Sequence, residues 1–230
     1  MSKNEARRQK QLAKKKSKRD EKRTQIARQT SDNPLIRLAA AQEWPIVETL
    51  VPETLLSQGI GQLLITRRLS DGRLAVANFL VDVYCLGVKN AYWNIISEWE
   101  YDKLKRKVTE LGVLHPVTPE YFAKLIYGAV EFARAIGIAP HPDYGHARLL
   151  LAGIDPSLCA DEFTYGKEGK PFYINGPHDS AEKIQVIMHK VNLAGGEITL
   201  RVDPDGRLLK ALDMEIVDKR EPQELEPAQD

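Results

Sequence analysis

An aspartate, a cysteine and a lysine follow one another closely in Asp82-Val-Tyr-Cys85-Leu-Gly-Val-Lys89, directly after a long apolar run. A carboxylate at a strand end, then a thiol, a glycine turn and an amine, is an arrangement in which an enzyme places a nucleophile or a general base. The same residues also fit simpler roles. Asp82 can form a buried ion pair with Lys89 or cap the turn, and Cys85 can point inward as a small hydrophobe. These structural roles carry more weight than catalysis here.

A second group is His141-Pro-Asp143-Tyr-Gly-His146, three ligand-type side chains within six positions. Such side chains bind metals or run acid–base chemistry. Asp143, however, sits where it should cap a helix, which engages its carboxylate, and no second ligand cluster is evident beyond His178-Asp179. A surface loop with unpaired histidines is the expectation, and neither a metal nor a cofactor is assigned.

Other signatures are missing or misplaced. Gly59-Ile-Gly61 precedes a strand instead of following one, so it is no dinucleotide loop, and no GxxxxGK[ST] occurs. Neither GxSxG nor HExxH is present. Gly166-Lys-Glu-Gly-Lys170 brings lysines near Phe172 and Tyr173, a mixture compatible with single-stranded RNA. Cross-strand packing of Phe163, Tyr165, Phe172 and Tyr173 explains the aromatics equally simply and is preferred.

The elements that must position these residues follow from pattern. Asn33-Pro34 opens a short helix over Leu35–Glu43, and Pro52–Gln58 fits one helical turn closed by Gly59. Two apolar runs, 61–69 and 73–83, flank Ser70-Asp71-Gly72, a strong hairpin marker. The second run is nearly continuous, as expected of a central strand covered on both faces. Tyr92–Ile96 supplies a third strand. Ser97-Glu-Trp-Glu100 is a capping box for a helix over Glu98–Leu111. Thr118-Pro119-Glu120 opens a longer amphipathic helix ending at Gly137, and Asp143 caps another through Leu151. Phe163–Tyr165 and Pro171–Ile174 read as a second hairpin. Asp179-Ser-Ala-Glu182 reads as a capping box for a helix stopped by Gly195-Gly196, followed by a strand over Glu197–Val202 and a turn at 203–206. Hairpins mixed with helices, without strict alternation, predict an α+β fold: one compact domain over 31–215 with about five helices.

Composition adds the strongest functional hint. The 230 residues are 28% charged and 43% hydrophobic, ordinary for a globular protein, and carry a formal net charge of +1. That balance conceals a segregation. Residues 1–30 hold twelve Lys/Arg against three acids, net +9, and the remaining 200 hold 21 against 29, net −8. Lys3, Arg7, Arg8, Lys10, Lys14, Lys15, Lys16, Lys18, Arg19, Lys22 and Arg23 dominate this arm, which offers a core little beyond Leu12 and Ile26. A segment so poor in apolar residues is expected to be disordered alone, although its residue types favour helix on contact with a partner. At the other end, residues 216–230 form an acidic tail.

Lysine and arginine at this density contact phosphates, and counterion release drives the binding. The arm has no aromatics to stack on bases and no scaffold to read a groove, so it binds by charge and shape. RNA is preferred to DNA because no helix-turn-helix, zinc finger or zipper accompanies it. Arg67-Arg68 and the group Lys103, Lys105, Arg106 and Lys107 are candidates to extend the basic surface. No run is apolar enough for a membrane span, and no secretory signal is recognisable, so membrane partners are not expected. Two isolated cysteines form no disulfide framework, and the expected location is cytoplasmic. The sequence therefore reads as an RNA-binding accessory protein, with the ribosome among the expected sites of association and catalysis not expected. The alternatives are a hydrolase or nuclease using Asp82/Lys89 or the His141/Asp143/His146 group, and a protein-interaction module without a nucleic-acid ligand.

Overall fold

A computed structural model describes residues 38, 40–201, 208 and 212. The basic arm, the acidic tail and the turn expected at 203–206 lie outside the described residues. The chain groups into two compact units, 1–169 and 170–230, where the sequence reading draws one body over 31–215. The fold is α+β.

The first unit is built on a five-stranded antiparallel sheet in the order β4-β3-β2-β1-β5. Its strands are β1 (Ile46–Pro52), β2 (Ile60–Arg68), β3 (Leu74–Asp82), β4 (Gly87–Ile96) and β5 (Leu114–Pro116). The Asp71-Gly72 hairpin forms as expected: Gly72 takes φ +85°, which glycine adopts at little cost, and Arg68 pairs with Leu74. β3 lies inside the sheet and is buried on both faces, as its apolar run predicts.

Side-chain alternation divides the sheet into two faces. Leu63, Ile65, Ala75, Ala77, Phe79, Val81 and Ala91 join the larger core under α3 (Pro119–Ala135), which contributes Phe122, Leu125, Ile126, Ala129 and Val130. Phe79 meets the rings of Phe122 and Tyr144 edge-on, each at 6.3 Å. Burying each such ring contributes about 1.5–3 kcal/mol. Close approach of α3 also requires Gly87, because a Cβ there would sit 2.8 Å from the Ala129 carbonyl oxygen. Leu50, Leu64, Leu74, Val76 and Ile96 face the other way and pack beneath Tyr101 and Val108 of α2 (Glu98–Thr109).

The capping box on α2 is present, with Ser97 accepting from the Glu100 amide and the Glu100 carboxylate accepting from the Ser97 amide. Thr118 caps α3 one-sidedly, its hydroxyl accepting from the Tyr121 amide. The expected turn at 52–58 is the short helix α1 (Leu55–Gln58), closed by Gly59 at φ +81°. Pro52 itself ends strand β1, which the sequence pattern does not reveal. Of the helix expected over Leu35–Glu43, Ala41–Glu43 is a 3-10 turn and most of the rest lies outside the described residues. Past α3, α4 (Tyr144–Ala147) runs into a 3-10 turn over Arg148–Leu151, so the expected helix changes its winding midway.

In the second unit, β6 (Phe172–Ile174) and β7 (Glu197–Thr199) pair in parallel, joined by α5 (Ala181–Leu193). This corrects the expected hairpin of 163–165 with 171–174. Ile184, Ile187 and Val191 of α5 are buried, so the helix closes a strand–helix–strand unit that claims β6. The cap of α5 is also displaced by one residue. Ser180, not Asp179, accepts from the Lys183 amide, while Asp179 accepts from the Gly176 amide and the Lys183 ammonium. Asn175 ties the unit further, donating to the Arg201 carbonyl at 3.0 Å and accepting its amide at 2.6 Å. Among the described residues, no helix is long and apolar enough to cross a membrane.

Candidate functional site

Asp82 ends β3 and is 9% exposed. Its Oδ1 accepts the amides of Tyr84 and Cys85, both at 2.9 Å, so the carboxylate organises the turn into β4. Burial pushes its pKa up to about 6, against the lowering pull of the turn amides and, least, of the Lys89 charge. The turn is held on two further sides. The Val83 amide donates to the Gly59 carbonyl, and the Val83 carbonyl accepts from Gly166. The Tyr84 hydroxyl reaches the carbonyls of Leu56 and Ser57 at 2.9 and 3.0 Å. Cys85 is fully buried, and burial, reinforced by the Asp82 charge, pushes its thiol up to about 12. A thiol at that value is not a nucleophile at neutral pH. Lys89 is half-buried on β4.

The histidine group lies where α4 begins. The His141 amide donates to the Val88 carbonyl at 2.9 Å, joining this loop to β4. His141 Nδ1 accepts the Asp143 amide at 3.2 Å and lies 3.8 Å from Asp143 Oδ2. Asp143 stands at the N-cap of α4 but makes no side-chain cap bond, because its own backbone is already helical at φ −68°, ψ −12°. The expected cap is therefore corrected: the carboxylate turns towards His141. His146 is exposed, its ring 6.3 Å from that of Trp93. Among the described residues, no three His, Cys, Asp or Glu side chains are arranged to hold a metal ion.

The basic clusters of the body are largely engaged. Arg67 is 3% exposed and is no surface residue. It donates from Nε to the Leu150 carbonyl, from Nη1 to Ala41 and Trp44, and from Nη2 to Ala152, at 2.7–3.0 Å. Burial lowers its pKa, and the four carbonyl dipoles solvate the cation. Arg68, one residue on, faces the opposite side and pairs with Glu98. Lys105 bonds both oxygens of Glu48, and Lys103 lies 3.5 Å over the Trp99 ring. The parity of β2 was the available signal: Arg67 shares the inward face with Leu63 and Ile65.

Phe163 and Tyr165 of the expected second hairpin pack on α3 instead. Phe163 meets Tyr121 edge-on at 4.8 Å, and Tyr165 stacks on Phe132. The Tyr165 hydroxyl reaches the Lys124 and Leu125 carbonyls, over a space that only Gly128 leaves open. A cleft of about 420 Å³ lies there, lined by Lys124, Tyr127, Glu131 and Phe163 among others. On the other side of the sheet, a cleft of about 230 Å³ opens between β2, β3 and the end of α2. Its lining includes Gln62, Leu80, Val108 and Leu111 and contains no charged residue. Sequence reasoning passed over Gln62 and its neighbour Asn78, polar residues on strands whose pattern signals only burial.

Comparison with protein-family models, with curated proteins and with solved structures finds no match to this chain.

Proposed function

We propose that the protein is a cytoplasmic RNA-binding accessory protein whose basic arm contacts phosphates without sequence preference and carries the α+β body to an RNA. The observation behind this reading is the segregation of charge, +9 in residues 1–30 against −8 in the rest. An overall charge near zero would not draw the chain to RNA; a concentrated block of cations does, through counterion release. Ribosomal RNA is the most abundant target of this chemistry in a cytoplasm.

The arrangement of the body is consistent with a carrier role for the arm. Asp82 has the raised pKa of a general base, yet its Oδ1 already accepts two turn amides and little of the residue meets solvent. A base must reach the proton it takes, so geometry weighs against it. Crosslinking the full-length chain to RNA in cells, beside a chain lacking residues 1–30, tests the proposal. RNA recovery should fall at least tenfold without the arm. Equal recovery, or recovery of proteins that resists nuclease treatment, would overturn it in favour of a protein-interaction module.

A further inference from the structure

We infer that the cleft between β2, β3 and the C-terminal end of α2 receives an unstacked base of single-stranded RNA; this rests on the RNA reading above and adds to it a site on the body. The cleft measures about 230 Å³, and none of its lining residues is charged, although the chain outside the arm is acidic overall. It therefore does not repel a nucleic acid, and it offers shape and hydrogen bonding in place of charge. Two of its apolar residues lack cover: Ile60 is 41% exposed and Leu111 72%. Apolar walls with a few uncharged polar groups, here Thr54, Gln58 and Gln62, are what an aromatic heterocycle with a polar edge requires.

Of the three polar residues, Gln62 lies on the sheet floor and pairs in register with Leu80 on β3. Asn78 Nδ2 donates to Gln62 Oε1 at 2.8 Å, which fixes the orientation of the Gln62 carboxamide. One Oε1 lone pair and the Nε2 donors then remain, a donor beside an acceptor that matches the edge of a base. Asn78 Oδ1 is buried without a hydrogen-bond partner among the described residues. The carboxamide pair is thus incompletely satisfied within the described structure. Tyr92 lies opposite Asn78 on β4, is 48% exposed, and accepts from Asn94 Nδ2 at 3.0 Å. It is placed to stack on a neighbouring base.

The test measures binding of the full-length chain to single-stranded RNA twelve-mers of each base and to an abasic strand with the same number of phosphates. At moderate salt, at least one base-bearing strand should bind about tenfold more tightly than the abasic one. Gln62→Leu should bring that strand down to the abasic level, and so should Leu111→Asp, which places a charge at an exposed position and leaves the core intact. Gln62→Glu keeps the acceptor for Asn78 but loses the Nε2 donors, and should retain only part of the difference. Equal binding of all strands, or a base preference untouched by these substitutions, would overturn the pocket while leaving the arm reading standing. If no strand binds even at low salt, both fail.

Discussion

Asp82 and Arg67 are both charged side chains withdrawn from water, and both are satisfied by the main chain, but over very different spans. Asp82 binds amides two and three residues ahead, so it shapes one turn. Arg67 binds carbonyls at Ala41 and Trp44 on one side and at Leu150 and Ala152 on the other, so it fastens three distant segments together. The first is a local cap and the second a long-range staple. Within the body, then, these two buried charges organise the chain itself.

Removing the staple should have the largest effect. Arg67→Met removes a donor from four carbonyls, of which Ala41 keeps the Trp44 amide, and the expected loss of stability is about 3–5 kcal/mol by urea denaturation. Arg67→Lys should recover little, because one ammonium cannot span both sides. A loss under about 1 kcal/mol for Arg67→Met would show that the three segments hold together without it.

The turn cap should matter less, and its effect should depend on pH. The folded pKa of Asp82, about 6, lies above its ordinary value of 3.8, so the folded state holds this proton more tightly. Ionisation therefore withdraws stability as pH rises from about 4 to about 6, by an amount of order 2–3 kcal/mol. Asp82→Asn keeps the acceptor for both amides and removes the titration. Its stability relative to wild type should rise across that range and level off above it. A difference that stays flat from pH 4 to 7 would contradict the burial of an ionisable Asp82. The exposed Arg68–Glu98 pair sets the lower end of the scale, and Arg68→Ala should cost no more than about 0.5 kcal/mol.

These contrasts also show what was legible in the sequence. The Asp71-Gly72 hairpin, the capping box at Ser97 and the amphipathic α3 rest on local signals, and all three form. β1 was missed because its pairing with β2 and β5 is a tertiary fact, and because Pro52 and Glu48 interrupt its apolar run. The partner of β6 was misassigned for a related reason: Gly166–Lys170 looks like a hairpin turn, but the parallel partner lies beyond a helix. Asp82 was singled out from its place at a strand end, and the turn-cap alternative was visible beside catalysis. Arg67 was grouped with Arg68 as surface charge, since adjacency in sequence conceals that neighbours on a strand face opposite ways. The clefts depend on which parts of each sheet face the helices leave open, and no local pattern reports that.

The central claim is that recognition of RNA begins with the arm's charge, and the salt dependence of binding tests it most directly. Affinity of the full-length chain for a structured RNA should fall about a thousandfold or more between 50 and 200 mM salt. Without residues 1–30, the slope of log affinity against log salt should flatten by several units. An unchanged slope, or binding indifferent to salt, would contradict the account.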